Sequence, residues 1–384
     1  MNPRRILAVA SREGREVIRD RLFFALAFIV PPVLLLTFGY GLSLDVEKSP
    51  FAVVDHDRTP MSRDYLDGFM ASRQFSFKGF LADERGVYGL LASGGVRSVI
   101  IIPERFQEHL LAGRPVAVQT LIDGTFPFRA QTTRGYVVAV NAAFSSKLLS
   151  GHLARTSGMD PEVAERMLEP VRAEVRCLYN PSLKSDWSLA PRLMMMVLMI
   201  CPPLLTAMGV VREKETGAIT NIYSSTITRS EYLLGKLAPY IGVSILNIGV
   251  LWAITVKVFG APFKGDPLFF FLASVLYVFC TTGMGLIVSV LVRTQVAAIL
   301  ITFIVTVVPS VFYSGIFVPV PSLGEGARVV AHLLPAMYYT DIVAGCFLKG
   351  VGFQVLWREV LVLAGYAAAL AAIGYSMFSK RPAS

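Results

Sequence analysis

The densest charge chemistry in the sequence is the alternation Arg212-Glu213-Lys214-Glu215, followed by Gly217 and then by Gly235-Lys236. Alternating charges on a helix point to several sides at once, because successive residues are turned by about 100°. Glu213 and Glu215 therefore project about 200° apart and cannot share one partner. Phosphate chemistry is a poorer fit. A P-loop needs G-x-x-x-x-G-K-[ST], whereas Gly235-Lys236 is followed by Leu237, with Ser230 where the first glycine should stand. If ATP drives this protein, a partner must supply the nucleotide site. Other reactive groupings are thinner. His56 lies between Asp55 and Asp57, which reads as a strand end and an Asp-rich turn rather than a metal site, and His109 and His152 have no metal-ligand spacing. There is no nucleophile elbow and no Gly-rich phosphate loop, so neither catalytic residues nor metal ligands are expected.

The elements that must carry these charges are apolar. Of 384 residues 54% are hydrophobic and only 16% charged, against roughly 25% charged in soluble domains. Six charge-free runs, Leu22–Leu44, Leu193–Val211, Leu237–Val256, Pro267–Val292, Thr294–Gly324 and Val360–Ser379, reach the ~20 residues a membrane span requires. A soluble protein could bury one such run, but not six. The first follows a basic N-terminus, yet its apolar core is too long for a signal peptide and no small-x-small site follows it. It reads as a retained anchor. Pro31-Pro32 in its middle is tolerable if neighbours satisfy the freed carbonyls.

The net charge of +9 is unevenly placed. Residues 1–21, the 211–236 segment, Arg293, Lys380 and Arg381 together hold thirteen basic against six acidic residues. Residues 45–192 hold eighteen against seventeen. Alternate loops thus carry the excess, as the positive-inside rule describes. It predicts that both termini and the 212–236 loop are cytoplasmic and that the long neutral segment lies outside. The basic balance is a topological signal and argues against nucleic acid as a partner. Of the cysteines, Cys201 and Cys280 fall in spans; Cys177 and Cys346 could bond, but unpaired thiols are the expectation.

The outer segment, 45–188, reads as a small α/β domain. Phe51–Asp55, the FSFKGFL run, Val96–Pro103 and Pro115–Gly124 read as strands, and Thr59-Pro60 as a capped helix start. Helices are expected over Glu104–Leu111 and 128–157, and after Asp160-Pro161. Docking or substrate passage suits this domain better than catalysis. The six runs lack Asp, Glu and His, which speaks against a gradient-driven transporter, and no channel filter is visible. The Met194–Met199 run is either apolar filler or an adaptable substrate surface. Met195 and Met199, with Phe312 and Tyr313, are the candidates for a substrate path.

The stretch VVREKETGAITNIYSSTITRSEYLLGKLAPY resembles the signature segment of the type 2 ATP-binding-cassette (ABC) transporter permeases. In that family a span ends in R-E-[KR]-E-x-G, and Gly-Lys-x-x-Pro-Tyr follows; Arg212, Glu213, Lys214, Glu215 and Gly217 match the first part, and Gly235, Lys236, Pro239 and Tyr240 the second. Tyr179–Pro191 and Ser314–Gly350 resemble the family's entry into span two and its ending, so the likeness covers essentially the whole chain. It departs at Pro191-Arg192, where the family often has Pro-Gly, and after the glutamates, where an expected Glu is absent. The nearest subgroup is that of bacterial inner-membrane exporters with a large periplasmic domain.

The resemblance implies an α-helical integral membrane protein of six spans with an inserted α/β extracytoplasmic domain between spans one and two. Its segments would be a cytoplasmic N-terminus (1–21), span one (22–44), a periplasmic domain (45–188), a five-span membrane domain (189–379) and a cytoplasmic tail (380–384). Within the membrane domain it implies a coupling helix over 212–224 and a re-entrant region over 314–350. Arg212, Glu213, Lys214, Glu215, Gly217 and Ile219 would couple the chain to a cytoplasmic ABC ATPase, which would hold ATP and Mg. One of the two glutamates would face that ATPase, and replacing either would leave membrane insertion intact. The implied activity is export across the bacterial inner membrane, by a homodimer or a heterodimer with a related permease, together with a periplasmic adaptor. The alternatives are a lipid or glycan export permease of the same family, or a membrane assembly subunit that transports nothing.

Overall fold

The structure, a computed structural model, describes residues 1–42, 48–158, 160, 176, 178–217 and 227–378. They form two compact units, 1–43 with 177–384, and 44–176. The helix expected after Asp160-Pro161 lies outside the described residues.

The first unit opens with α1, Pro3–Arg19, started by the Asn2 side chain and by Pro3 in the first turn. Asp20 ends α1 and at once caps the next helix, accepting from Leu22 N at 2.9 Å and Phe23 N at 3.3 Å. That helix, α2 (Arg21–Gly41), is the first of six helices among the described residues that are long and apolar enough to cross a membrane. Its middle, Ala25–Ile29, widens to π geometry just ahead of Pro31 and Pro32. A proline has no N–H for the carbonyl four residues back, so Pro31 orphans the Ala27 carbonyl. Asn247 Nδ2 donates to that oxygen at 2.8 Å.

The second unit holds a four-stranded sheet of β1 (Ser49–Asp55), β2 (Phe75–Leu81), β3 (Ser98–Ile102) and β4 (Gln119–Ile122), in the order β2-β1-β3-β4. β1 runs parallel to β2 and β3, and β3 antiparallel to β4. Helices α3 (Pro60–Met70), α4 (Val87–Ala92), α5 (Phe106–Leu111) and α6 (Pro127–Ser157) complete it. The alternation of strand side chains divides two cores. Phe51, Val53, Ile100 and Ile102 pack with Tyr65, Leu66 and Phe69 of α3, while Ala52, Val54, Val99 and Ile101 pack with Val87 of α4. Both faces being covered explains why β3 is buried throughout. Asp55 and Asp57 are used as turn and cap acceptors. Asp55 takes Arg58 N at 2.9 Å and Ser62 Oγ at 2.8 Å, and Asp57 takes Gln107 N at 3.1 Å.

The chain re-enters the first unit with α7 (Ser185–Glu215), α8 (Arg229–Lys257), α9 (Pro267–Leu291) and α10 (Gln295–Tyr313), then α11 (Glu325–His332), α12 (Pro335–Lys349) and α13 (Phe353–Met377). α7 is the central strut: from Leu189 to Val211 every residue but Arg192 is buried. α10 widens to π geometry at Phe303–Val307, ahead of Pro309, as α2 does ahead of its prolines. α11 and α12 meet at 85°, as a broken span or a re-entrant hairpin does. The helices extend past the charge-free runs. α7 takes in Arg192, and α13 takes in Arg358 and Glu359, so the membrane helices do carry an acid that the run of uncharged residues left out.

Candidate functional site

The last turn of α7 is where the alternating charges sit. Arg212–Glu215 do not begin a separate helix, as the 212–224 reading had it. They continue α7 until Thr216, and Gly217 leaves the helix at φ +72°, a left-handed conformation that costs glycine little. Ile219 and residues 218–226 lie outside the described residues. The helix runs on through its charges because each head group finds a different neighbour.

Arg212 Nη1 pairs with Asp20 Oδ2 at 2.7 Å, and its guanidinium lies 5.4 Å from the centre of the Phe23 ring. Glu213 pairs with Lys236 of α8 at 3.1 Å and accepts from the Tyr232 hydroxyl. Lys214 Nζ turns to the C-terminus of α9, donating to the carbonyls of Ser289 at 2.5 Å and Val290 at 3.1 Å. A cation at the negative end of a helix satisfies orphan acceptors there. Glu215 does the reverse at the start of α10, accepting from Gln295 N at 3.1 Å and Gln295 Nε2 at 2.9 Å. One turn of helix thus touches the α1–α2 junction, α8, α9 and α10.

Glu213 and Lys236 belong to a buried knot. Lys236 is 1% exposed, Glu13 of α1 2% and Glu213 5%. Lys236 Nζ donates to Glu13 Oε1, and the Tyr240 hydroxyl to Glu13 Oε2 at 2.7 Å. Arg12 Nη2 approaches Glu213 from the rim at 3.8 Å. Burial pushes the Glu13 carboxyl up; Lys236 and the Tyr240 hydroxyl pull it back, Glu213 pushes again, and the balance stays above the usual carboxylate range. At Asp20, burial is outweighed by the Phe23 and Leu22 backbone N–H groups and Arg212, and the carboxyl is held low. Breaking a buried pair by removing one member costs about 3–5 kcal/mol, because the other charge is stranded.

Two glycines let the helices come this close. A methyl group on Gly235 would sit 2.7 Å from Val9 Cβ and 2.9 Å from the Ile6 carbonyl oxygen, so Gly235 admits α1 onto α8. A methyl on Gly209 would overlap the Tyr240 phenol. The far end of α1 is held as well: Glu231 accepts from Asn2 N at 2.6 Å and caps its own helix through Thr228.

The profile of the ABC-2 family transporter proteins matches residues 21–376. The chain belongs to that family. It is similar to the probable multidrug ABC transporter permease YbhS of Escherichia coli strain K12, with 28% identity over 94% of this chain and 93% of that one. YbhR of the same strain, named a probable multidrug ABC transporter permease, is 23% identical over 98% and 99%. The linearmycin resistance permease protein LnrN of Bacillus subtilis strain 168 is 20% identical over 97% and 98%. The chain is a permease subunit of an ABC transporter, and an ABC-2 permease works with a cytoplasmic ATPase.

In this ABC-2 permease the residues singled out from the sequence fall into two groups. Arg212, Glu213, Lys214 and Glu215 come together at one end of the bundle, with Gly217 just beyond. Both glutamates are paired within the chain, so neither is held free for a partner, although Glu215 is exposed. Burial of Glu213 means that its loss would also cost stability, beside the expectation that membrane insertion would survive it. The four substrate-path candidates are split. Met195 and Met199 are wholly buried in the core around α7, where they line no open surface, while Phe312 is 66% exposed on α10 with Tyr313 beside it. Close packing of α7 on all sides turns the methionine run into core.

Sequence reasoning passed over Glu13, Asp20, Tyr232 and Gln295. α1 did carry a signal: Ile6, Val9, Glu13 and Val17 recur at helical spacing. Nothing local tied Glu13 to Lys236, 223 residues away.

Proposed function

We propose that the chain is the permease of an ABC exporter that moves drug-like molecules outward across the bacterial inner membrane, and that the end of α7 is its coupling point to the ATPase. The observation that carries the coupling reading is the fan of four contacts, Arg212–Asp20, Glu213–Lys236, Lys214–Ser289 and Glu215–Gln295, immediately before the 216–228 loop. A push on that loop reaches α1, α2, α8, α9 and α10 through bonds rather than through slack chain. ATP-driven closure of the ATPases biases one arrangement of these helices over another, as any coupled switch requires. The multidrug and resistance names of the relatives favour export of drug-like compounds.

In this reading both termini and the 216–228 loop are cytoplasmic, and the sheet-bearing unit, inserted between the first two spans, lies in the periplasm, where it can meet an adaptor. Two permeases, identical or related, enclose the path. Residues 212–224 bear on the ATPase, with Ile219 on its apolar side.

The test uses the chain co-expressed with its ATPase. Replacing residues 218–224 with Gly and Ser should abolish both co-purification of the ATPase and substrate-stimulated hydrolysis. Glu213→Ala should lower the melting temperature and transport together. Glu215→Ala should leave melting nearly unchanged and reduce only the stimulation. Normal stimulation in the loop replacement would end the coupling reading.

A further inference from the structure

A second feature of the same end of the bundle is independent of the coupling reading. Arg12, Arg15, Glu16, Arg19 and Asp20 of the α1–α2 segment and Arg212 of α7 line an open surface pocket of about 440 Å³. Its lining is four arginines against two carboxylates. Glu16 is engaged by Arg12 at 3.2 Å and Asp20 by Arg212 at 2.7 Å. Among the described residues Arg15 and Arg19 have no carboxylate partner within 4 Å; Arg15 Nε donates to the Ser11 carbonyl at 3.2 Å. The pocket therefore keeps two uncompensated guanidinium groups, whose planar forks suit phosphate oxygens.

Its depth and its neighbours decide the class of ligand. α2 turns apolar directly after Arg21, and α7 is apolar up to Val211. The pocket thus adjoins the start of α2, a helix long and apolar enough to cross a membrane, and a spanning α2 would set it at the level of lipid headgroups. Next to the arginines stand exposed apolar side chains, Leu7 and Ile18 on α1 and Leu22 at the start of α2, at 71%, 65% and 54% exposure. At 100° per residue Leu7 and Ile18 of α1 fall within about 20° of one another, and Arg15 and Arg19 follow over the next 100° or so; Leu22 opens α2 beyond the break at Asp20. Exposed apolar side chains bordered by arginines are the pattern of a helix lying in the membrane interface. A protein partner with an acidic surface would satisfy the arginines but leave no reason for the bare leucines and isoleucine.

We propose that this pocket binds the phosphate headgroup of an anionic phospholipid of the leaflet bordering the 216–228 segment, with Arg15 and Arg19 as the principal ligands and the exposed Leu7, Ile18 and Leu22 side chains laid against its acyl chains. Basic pockets at helix ends are a known physical route to such recognition. A bound headgroup would also brace the Arg212–Asp20 pair at the pocket wall.

The test measures lipid retention by the purified full-length chain in detergent, by native mass spectrometry, with phosphatidylglycerol and phosphatidylcholine offered in equal amounts. Phosphatidylglycerol should be retained preferentially. The Arg15→Gln/Arg19→Gln double variant should lose that preference by about tenfold, with each single variant intermediate. Arg293→Gln, an exposed cation at the same end but outside the pocket, should behave as wild type. Melting curves should show the double variant folded, since both side chains lie on the surface. Soluble glycerol phosphate and inorganic phosphate should not displace the lipid. Displacement by either would make the pocket a site for free phosphate and overturn the lipid assignment. A double variant that retains phosphatidylglycerol like wild type would overturn it too, and one that does so while losing its ATPase would hand the pocket to the protein partner.

Discussion

The two ends of α7 solve the same electrostatic problem in opposite ways. At the end near Gly217, four successive charges each have a partner, and the most buried of them, Glu213, is part of a knot with Lys236 and two tyrosine hydroxyls. At the other end Arg192 lies near Asp341 of α12, and Asp341 near Glu359 of α13, yet no ion pair within 4 Å joins the three. Arg192 Nε and Glu359 Oε2 are buried without a hydrogen-bond partner. The Tyr338 and Tyr366 hydroxyls both go instead to the His332 carbonyl, at 3.1 and 3.0 Å. Buried charge that is fully paired resists rearrangement, because any movement strands an ion. Charge that is only half paired leaves a smaller barrier to exchanging partners. In the proposed coupling, one end of α7 would transmit a displacement and the other would keep the freedom to respond to one.

The largest effect should come from the knot. Lys236→Met removes the ammonium group between Glu13 and Glu213 and should destabilise the protein by about 3–5 kcal/mol, read as a fall in melting temperature and in yield of folded protein. Adding Glu13→Gln should recover part of that loss. A Lys236→Met protein that melts like wild type would dissolve the contrast between the two ends. At the opposite end, Arg192→Met should cost about 1 kcal/mol or less, within the range of an ordinary substitution, because its Nε forfeits no bond. Its effect should fall on transport more than on melting; a loss as large as that of Lys236→Met would show that the second end is as tightly built as the first.

The smallest effect is a slope with pH. Glu13 binds its proton more tightly in the folded chain than when unfolded. A carboxyl with a raised folded value adds stability as the proton goes on, and loses that contribution as pH rises through the folded value. Acidification from neutral pH toward the ordinary glutamate range, about pH 4.3, should therefore raise the melting temperature of wild type relative to Glu13→Gln. A difference that is flat or of opposite sign over that interval would mean that Lys236 dominates the site and keeps Glu13 ionised.

Much of the local structure was legible. Thr59 caps α3 with the box its sequence announces, and β1 and β3 are apolar runs that end where Asp55 and Pro103 predict. The six charge-free runs mark the six long helices, because hydrophobic length is a local property. What stayed hidden was pairing at a distance. Arg212 to Glu215 stood out as charges, but whether each faced solvent, an ATPase or a neighbouring helix depended on Asp20, Lys236, Ser289 and Gln295, which no spacing rule connects to them. α1 was hidden for a related reason: six of its seventeen residues are arginine or glutamate outside the buried face, and they drown the few that pack. Arg192 and Glu359 were missed because a search for uncharged runs stops where such residues begin.

The bond between Lys236 and Glu13 also has a consequence for how the protein is made. The acid is synthesised 223 residues before its base, and at 5–20 residues per second that interval lasts roughly 10–45 seconds. During it α1 has no α8 to lie on, and its carboxylate has neither the ammonium nor the phenol that later enclose it. A nascent chain arrested before Lys236 must keep Glu13 in water and α1 unattached. Burial of Glu13 therefore marks a late stage of biogenesis, reached only after α8 has been inserted. Products truncated ahead of it should expose an undocked amphipathic helix.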